Sequence, residues 1–350
     1  GVDVLFDADV SFDVNGTLHA VGTPSDSIRF LRGIASEWAG IRIYGPKCRF
    51  EFVRISGGKA NTGGGVEIHI TTTPTFRNCV ISGNEAVGFN IGVYNGCGGG
   101  VFLDNSASAE FTNCVFAGNR AYGAPSSDEV GAAGGAGSAI FGAWYTNVKL
   151  INCTITGNTG VQGRGAIYVA AGATCTATNS IMWGNEPPDP TSLYSLVGTY
   201  YSDIEGGIKN YIIDGGGNIN ADPLFVDAAN GDFRLKVGSP CINTGDPASP
   251  LDPDGTRADM GAFPYDGTVG VTSPTPVPFT LAQNAPNPFN PRTTLRFGIP
   301  EACEVVLAVY DVNGRLVRTL VDGNREAGVH EVAWDARDDA GRAVASGVYV

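Results

Sequence analysis

The chain has 350 residues, a formal net charge of −13 and only 16% charged residues. Nucleic acids and anionic lipid surfaces are bound through clusters of Lys and Arg, so the excess of negative charge argues against both as partners. No apolar run approaches the roughly 18 residues that a membrane-spanning helix requires, and we expect no membrane span.

Short runs of alternating apolar and polar residues open the chain, in "GVDVLF", "SFDVNGTL" and "EWAGIRIYG". Such alternation, interrupted by Gly and Asn, predicts strands joined by turns. The sequence begins in the middle of this pattern, without the basic stretch and apolar core of a secretory signal peptide. We therefore expect that the native N-terminus has been removed.

A repeat of the form Asn-Cys-apolar-x-x-Gly-Asn comes next. Its copies are Arg77–Asn84, Thr112–Asn119, Ile151–Asn158 and Thr178–Asn185, the last with Ser in place of Cys. An apolar residue preceded by Gly or Ala lies 17 residues before the Gly of each copy (66 to 83, 101 to 118, 140 to 157 and 167 to 184). The distance onward to the next such apolar residue varies (18, 22 and 10), so one half of the repeat has a fixed length and the other accepts insertions.

Internal repetition of this kind is typical of solenoids. The short β-branched and aromatic runs predict strands, and no segment shows sustained helical periodicity. Successive coils of a parallel β-helix stack about 4.8 Å apart, which places equivalent side chains above one another. We therefore predict a structural ladder of stacked amides and an interior column of unbridged thiols. Its members are Asn84, Asn119, Asn158 and Asn185, with Cys79, Cys114 and Cys153.

These patterns resemble the right-handed parallel β-helix repeats of pectate-lyase-like and polymorphic outer-membrane-type proteins. The resemblance covers about Gly1–Tyr265 and includes "NADPLFVDAANGDFRLKVGSPCINTGDPASPLDPDGTRADMGAFPY", which is similar to the segment that closes many bacterial secreted β-helices. It implies a domain over residues 1–265, with a closing segment over 220–265, and an extracellular location.

Residues 266–278 are rich in Pro, Thr, Ser and Gly, which is typical of an extended linker. Residues 279–350 then alternate again, with predicted strands at Thr294–Ile299, Val305–Tyr310, Leu316–Leu320 and Val329–Trp334. An Asn-Gly pair at 313–314 predicts a hairpin, and short antiparallel strands at this spacing indicate an Ig-like sandwich. The predicted fold class is thus all-β, a right-handed single-stranded parallel β-helix followed by a small Ig-like β-sandwich.

The motifs "NAPNPFNP", "VYDVNGR", "AGVHEVAWD" and "ASGVY" resemble the Ig-like domain of flagellar hook-capping proteins and the sorting domain of type IX secretion cargo. That resemblance implies export and display at the cell surface, with the secretion machinery as a partner. The chain stops at Val350, in what resembles the penultimate strand, so we expect that the last strand is missing.

The variable half of the repeat offers a candidate ligand-binding face, because long loops on a rigid scaffold often carry function. Aromatic and charged residues concentrate there, and such a set could bind a glycan. The candidates are Tyr94, Arg120, Tyr122, Asp128, Glu129, Trp144 and Tyr145.

The segment "DPDGTRAD" offers oxygen ligands for Ca²⁺ from Asp252, Asp254 and Asp259, which makes Ca²⁺ the one cofactor considered. The interpretation that we favour is an ordinary turn, in which Arg257 pairs with a carboxylate. The scattered His and Cys residues do not predict a zinc site. No catalytic residue is predicted, because no GxSxG motif occurs and no Lys lies near an Asp cluster within a repeat.

These observations predict an exported, cell-surface β-helix protein that acts in adhesion or glycan binding. Two other hypotheses remain open. The β-helix could be a polysaccharide lyase or glycoside hydrolase, which would require carboxylates converging in one groove. It could also be a structural protein that self-assembles through exposed strand edges.

Overall fold

The computed structural model describes residues 1–350 except 8–9, 34–36, 89–93, 124–133, 161–164, 188–196, 210–211, 268–279, 282, 285, 290, 300–302, 313, 326–327, 346 and 350. Two compact units divide the chain, Gly1–Gly270 and Val271–Val350. Within the described residues, the first unit contains parallel sheets and one short antiparallel pair, and the second contains antiparallel sheets. The all-β prediction, with a β-helix before a small sandwich, is confirmed.

Four parallel sheets form the first unit. Sheet A consists of β1 (Val2–Phe6), β4 (Ile28–Arg32), β7 (Val53–Ser56), β11 (Val80–Ser82), β15 (Val115–Ala117), β19 (Thr154–Thr156), β23 (Ile181–Trp183) and β25 (Asp203–Ile204). Sheet B consists of β2 (Phe12–Val14), β5 (Ile41–Ile43), β9 (Val66–Ile68), β13 (Val101–Leu103), β17 (Ile140–Gly142) and β21 (Ile167–Val169). Sheet C consists of β3 (His19–Val21), β6 (Arg49–Glu51), β10 (Thr75–Arg77), β14 (Ser108–Thr112), β18 (Asn147–Ile151), β22 (Thr174–Thr178), β24 (Val197–Tyr200) and β26 (Ile212–Asp214). Sheet D consists of β8 (Lys59–Ala60), β12 (Glu85–Val87), β16 (Arg120–Tyr122) and β20 (Thr159–Gly160).

Each central coil passes through sheets B, C, A and D in that order before it returns to sheet B. The register follows the fixed half of the repeat, because Val66 pairs with Val101 in sheet B and Val80 pairs with Val115 in sheet A. Insertions lie between sheets D and B, where the sequence spacing varies. The interior is filled by one large apolar cluster that includes Phe50, Phe76 and Phe111, stacked at 4.7 and 4.8 Å between ring centroids.

The repeated Asn residues form a buried ladder at the turn between sheets A and D. Asn84 donates from Nδ2 to Oδ1 of Asn119 at 3.0 Å, and Asn119 and Asn158 each donate in the same way to the next amide. The left-handed backbone occurs at the preceding Gly, with φ +62° at Gly83, and at the Asn before each of the column Cys residues, with φ 53° at Asn78. The ladder Asn is therefore selected for its amide rather than for its backbone conformation.

The thiols of Cys79, Cys114 and Cys153 lie in the interior, at 0% exposure. Each donates to a carbonyl oxygen of the neighbouring coil; for example, Cys114 Sγ lies 3.5 Å from the oxygen of Phe76. All eight cysteines are described in the structure, and none of them forms a disulfide. Burial raises the pKa of Cys153 to about 12.

The closing segment covers the last coils and then runs back along the corner between sheets A and C. It contains β27 (Phe225–Asp227), a 3₁₀ turn (Ala228–Asn230) and β28 (Asp232–Leu235). Leu235, Cys241 and Met260 pack on Ile181 of β23. Further along, Gly261 donates to the carbonyl oxygen of Asn179, and Ala262 donates to Thr154 Oγ1.

The second unit contains a three-stranded and a two-stranded antiparallel sheet. The first has the order β29 (Thr280–Leu281), β30 (Thr293–Ile299) and β33 (Gly328–Trp334), and the second pairs β31 (Cys303–Tyr310) with β32 (Leu316–Arg325). Phe297 and Ile299 of one sheet share a core with Val321 of the other. The four predicted strands agree with β30 to β33, although β32 extends five residues further than expected.

Candidate functional site at the end of sheet B

One column of side chains projects outward from sheet B. The strands have three residues, and the first and third point into the apolar interior, as Val66 and Ile68 do at 0% exposure. The middle residues therefore face outward, and the register aligns them between coils. The column consists of Asp13, Arg42, Glu67, Phe102, Phe141 and Tyr168. It is charged in the first three coils and aromatic in the next three.

The aromatic part of this column is covered. Phe102 and Phe141 stack at 5.4 Å between ring centroids, Phe141 and Tyr168 stack at 5.3 Å, and the three rings are at most 3% exposed. Tyr94 and Cys97, from the insertion before β13, pack against them. The described parts of the insertions thus fold back onto sheet B and form a second apolar cluster outside the coils. The charged part of the column lies where this cluster ends.

A second column follows the ends of the sheet B strands. Tyr44, His69 and Asp104 come directly after β5, β9 and β13, so the strand register places them above one another. The rings of Tyr44 and His69 stack at 4.0 Å between centroids and 15° between planes. His69 Nδ1 lies 3.8 Å from an Asp104 carboxylate oxygen. One imidazole thus separates an exposed tyrosine ring from a carboxylate.

Glu67 brings the two columns together. One of its carboxylate oxygens lies 3.6 Å from His69 Nε2, and the other lies 3.4 Å from Arg42 Nε. Thr62 donates to the carboxylate at 3.4 Å. The side chain is only 16% exposed, and loss of hydration raises its pKa. The charges of His69 and Arg42 oppose that rise, and the Asp104 charge adds to it.

Hydrogen bonds through Asn105 connect the carboxylate of Asp104 to Tyr94. Oδ1 of Asp104 accepts from the backbone N–H of Asn105 at 2.7 Å, and Tyr94 donates to Asn105 Oδ1 at 3.3 Å. Burial and the nearby Asp104 charge raise the pKa of Tyr94. Trp144, at the end of β17 in the next coil, is 47% exposed and accepts from the N–H of Ser106 through its carbonyl oxygen.

Two buried nitrogen atoms in this group, Arg42 Nε and His69 Nε2, lie at ion-pair distance from Glu67 but make no hydrogen bond to any of the described residues. A buried donor without an acceptor costs free energy, and native proteins retain few of them outside functional sites. We use the name polar array for Arg42, Tyr44, Glu67, His69 and Asp104. Its hydrogen-bonding capacity is not saturated by the protein.

The predicted binding residues separate into three groups. Tyr94 is connected to Asp104 of the polar array through Asn105, and the carbonyl of Trp144 accepts from the N–H of Ser106, two residues after Asp104. Tyr145, which is 71% exposed, follows Trp144 in a turn with φ 61°. Arg120 and Tyr122 belong to β16 in sheet D, where Arg120 lies 3.8 Å from Glu85. Asp128 and Glu129 lie outside the described residues.

The predicted calcium ligands each accept backbone N–H groups. Asp259 accepts from Asn243 and Tyr265, Asp252 accepts from Asp259 at 2.8 Å, and Asp254 accepts from Thr256 at 2.9 Å. The carboxylates therefore stabilise turns of the closing segment. Among the described residues, no group of His, Cys, Asp or Glu side chains is arranged to hold a metal ion.

Arg257 departs from the expected arrangement. It was predicted to pair with a carboxylate, whereas its guanidinium donates to the carbonyl oxygens of Gly245 and Thr244. Backbone acceptors are available because this turn leaves two carbonyl groups directed at the side chain. The arginine thus connects two parts of the closing segment through hydrogen bonds to backbone carbonyl groups.

Sequence reasoning missed Glu67, His69 and Asp104. The scattered positions of the His residues along the sequence gave no indication that His69 has partners. The signal was nevertheless in the repeat: Tyr44, His69 and Asp104 each lie three residues after the apolar residue that marks a coil. Applying the register to polar positions, as well as to Asn and Cys, would have placed them together.

Comparison with known proteins agrees with this architecture. The family model for a right handed beta helix region matches residues 31–186 and 90–218, which together span more than half of the chain, and the model for the FlgD Ig-like domain matches residues 290–350. A crystal structure of pectate lyase Pel9A is similar at 16% identity and a TM-score of 0.35, over 75% of this chain and 88% of that one. No curated protein matches the sequence. Among the described residues, no helix has the length and apolar character needed to cross a membrane.

Proposed function

The chain belongs to the right handed beta helix family, and from that premise we propose that it is an exported surface protein whose β-helix binds a glycan at the polar array. The observation that supports this proposal is the stacking of Tyr44, His69 and Asp104 at the end of sheet B, with the exposed Trp144 in the next coil. This arrangement of side chains combines an exposed aromatic surface with a carboxylate and a partly exposed imidazole.

Glycan recognition needs these two properties together. A sugar ring presents C–H groups on its faces, which pack on aromatic rings, and hydroxyl groups at its edge, which donate to carboxylates and accept from N–H donors. Tyr44 is 41% exposed although one face of its ring is held by His69, so its orientation is fixed before any ligand binds. A fixed ring loses little conformational entropy on binding.

The charge of the chain restricts the class of glycan. The net charge is −13, and the polar array itself contains the carboxylates of Glu67 and Asp104, while its Arg42 is already paired with Glu67. Polyuronates and sulfated glycans would be repelled by this field. We therefore propose neutral or amino sugars as ligands.

Export and surface attachment are proposed for the second unit. The match to the FlgD Ig-like domain supports an Ig-like fold for it, and the motifs quoted above resemble sorting domains of type IX secretion cargo. On this proposal the Ig-like unit contacts the secretion machinery, and the β-helix contacts the glycan. Labelling of intact cells of the source organism with an antibody against the chain tests the location: surface fluorescence supports it, and labelling that requires permeabilised cells contradicts it.

A glycan array probed with the whole chain tests the binding. We expect signals on neutral or amino sugars that fall at least about tenfold in Trp144→Ala and Tyr44→Ala, because each removes an exposed aromatic ring. The matched control is Tyr200→Ala, which removes a 37% exposed ring from sheet C. Loss of binding in the control alone would place the site elsewhere, and no signal on any glycan would contradict the proposal in favour of self-assembly.

A further inference from the structure

The corner between sheets A and C has one residue in the left-handed conformation in each of six successive coils, with φ between 45° and 54°. In chain order these residues are Phe52, Asn78, Asn113, Asn152, Asn179 and Tyr201. Asn adopts this conformation readily, whereas a bulky aromatic residue in it is an outlier. Outliers of this kind persist where the surroundings impose them, and they cluster at ligand-binding sites. The two aromatic residues are therefore candidates for a contact that Asn would not provide.

The closing segment provides such a contact for one of them. The ring of Tyr201 packs in the apolar cluster that the closing segment forms with the last coils. Beyond it, the N–H of Gly261 donates to the carbonyl oxygen of Asn179 at 2.8 Å, and the N–H of Ala262 donates to Thr154 Oγ1 at 3.0 Å. Adjacent residues thus reach adjacent coils. The closing segment therefore runs along the β-helix axis here, toward the earlier coils, with N–H groups directed at the corner.

The other half of the same corner is an open groove of about 440 Å³. The closing segment leaves the corner after Pro264, because the N–H of Tyr265 donates back to Asp259. We use the name corner groove for the space between Pro264 and Pro24, which lies in the loop before β4. Its floor comes from three coils and consists of Phe52, Arg54, Asn78, Val80, Asn113 and Val115. Three coils give room for about three or four residues of an extended chain.

The floor of the corner groove is apolar in two coils and cationic in the third. The strand register aligns Val115 with Val80 and Val80 with Arg54. It also aligns Arg54 with Arg29, whose charge is already paired with Asp3 at 2.6 Å. The end of the groove that lies away from the closing segment therefore has an excess of positive charge, although the net charge of the chain is −13.

We propose that the corner groove binds a short extended peptide of a partner protein, which continues the path of the closing segment. The peptide packs small or apolar side chains on Val80 and Val115 and places a carboxylate at its C-terminal end against Arg54. Its direction follows from the closing segment, which reaches earlier coils as the chain proceeds. The ring of Phe52 contacts the peptide, as the ring of Tyr201 contacts the closing segment. This binding is independent of the polar array, which lies at the end of sheet B.

The test measures binding of synthetic peptides to the whole chain by fluorescence polarisation. The first pool contains labelled hexapeptide amides with Ala, Val, Ile or Pro at every position except the last, which is Glu. The second pool ends in Gln amide, and the third ends in Ala with a free terminal carboxylate. We expect saturable binding of the first or third pool at least about tenfold tighter than that of the second, because a carboxylate forms charge-assisted hydrogen bonds with Arg54. Comparison of the first and third pools distinguishes a side-chain carboxylate from a terminal one.

Variants of the floor locate the peptide. Arg54→Gln should weaken binding of the tighter pool at least about tenfold and leave the Gln pool within about threefold. Val80→Glu should abolish binding of every pool, because a charge replaces the apolar floor. The matched control is Arg77→Gln, which removes an exposed arginine of β10 on sheet C and should leave every affinity unchanged.

Phe52→Asn separates a ligand contact from a structural one. Asn adopts the left-handed conformation with less strain, so we expect stability to be retained while peptide affinity falls at least about tenfold. Lower stability with unchanged affinity would show that the ring serves the fold alone, which contradicts its role in the groove.

Two results would overturn the proposal as a whole. One is the absence of saturable binding by any pool, or equal affinities in the unmodified chain and Arg54→Gln. The other is self-association in sedimentation velocity that Val80→Glu abolishes, without binding of any pool. That result would assign the corner groove to a second copy of the chain. Neither result bears on glycan binding at the polar array.

Discussion

Asn84 and Asn119 lie one above the other across two coils: Nδ2 of Asn84 donates to Oδ1 of Asn119 at 3.0 Å, and the backbone N–H of Asn84 donates to the same oxygen at 3.1 Å. Asn119 in turn donates to Ile81 and to Asn158. One buried amide thus satisfies groups from three coils. The sequence repeats Asn at this position because no other side chain has both the donor and the acceptor at this length.

Substitution of a ladder amide should be costly. In Asn119→Ala, the amide of Asn84 loses its acceptor, and each unsatisfied buried group costs about 1–3 kcal/mol. We expect the free energy of unfolding to fall by at least about 3 kcal/mol in urea titrations. The control is Asn147→Ala, at an exposed position of β18, which should change stability by less than about 0.5 kcal/mol. Equal losses in both variants would contradict the role of the ladder.

The thiol column predicts a pattern of chemical reactivity. Seven of the eight cysteines are buried, and burial raises the pKa of Cys153 and Cys175 to about 12. Since the thiolate is the reactive form, we expect alkylation of the folded chain at pH 8 to be confined to the half-buried Cys303. Mass spectrometry should find one modified residue in the folded chain and eight in urea. Rapid labelling of Cys114 without denaturant would show that the thiol column is accessible to the reagent in the folded chain.

Asp203 predicts a dependence of stability on pH. It is fully buried under the closing segment, accepts from the N–H of Ala221 and from Cys241, and burial raises its pKa from 3.8 to about 6. The unfolded chain therefore releases this proton at lower pH than the folded chain does. The contribution of Asp203 to stability is greatest below about pH 4 and is lost as pH rises to about 6.

At about 1.4 kcal/mol per pH unit, the loss amounts to roughly 2–3 kcal/mol. Asp203→Asn keeps the shape of the side chain without a charge, so we expect a more stable protein at pH 7 and little difference at pH 4. Thermal unfolding of both proteins between pH 4 and pH 8 measures this. A constant difference across that range would show that Asp203 does not titrate in the folded chain.

The aromatic column outside the coils should contribute to stability as an ordinary core does. Phe141 is 0% exposed and stacks between Phe102 and Tyr168. We expect Phe141→Ala to lower the free energy of unfolding by about 3–5 kcal/mol, and Phe141→Leu to lower it by less than half as much. Denaturant titrations compare the two. If both variants are as stable as the unmodified chain, the insertions do not form a packed cluster.

The architecture could be predicted because successive coils of a stacked fold have the same geometry, which requires the same residue types at the same spacing in each coil. Equal spacing between Val66 and Gly83 and between Val101 and Gly118 appears in the structure as the strand register of sheets A and B. The ladder amides and column thiols followed from the same spacing. The sequence could not show which of the two repeated Asn positions has the left-handed backbone, because both Asn78 and Asn84 lie at turns and composition alone does not distinguish them.

The polar array was harder to predict. Glu67 and His69 are adjacent on one strand, but Asp104 is 35 residues from His69, and only the register brings them together. A variable insertion separates these two strands, so no fixed motif links them. The binding residues were predicted in the insertions because aromatic and charged residues concentrate there. In the structure, Tyr94 from the first insertion packs against Phe102 and donates a hydrogen bond to Asn105.

The most direct test of the account is hydroxyl-radical footprinting of the whole chain with and without a mixture of neutral and amino-sugar oligosaccharides. Bound glycan should protect the exposed rings of Tyr44 and Trp144 from oxidation and leave that of Tyr200 on sheet C unchanged. This result would place the ligand at the polar array. Unchanged oxidation of Tyr44 and Trp144, or protection of Tyr200 alone, would contradict a glycan site at the end of sheet B.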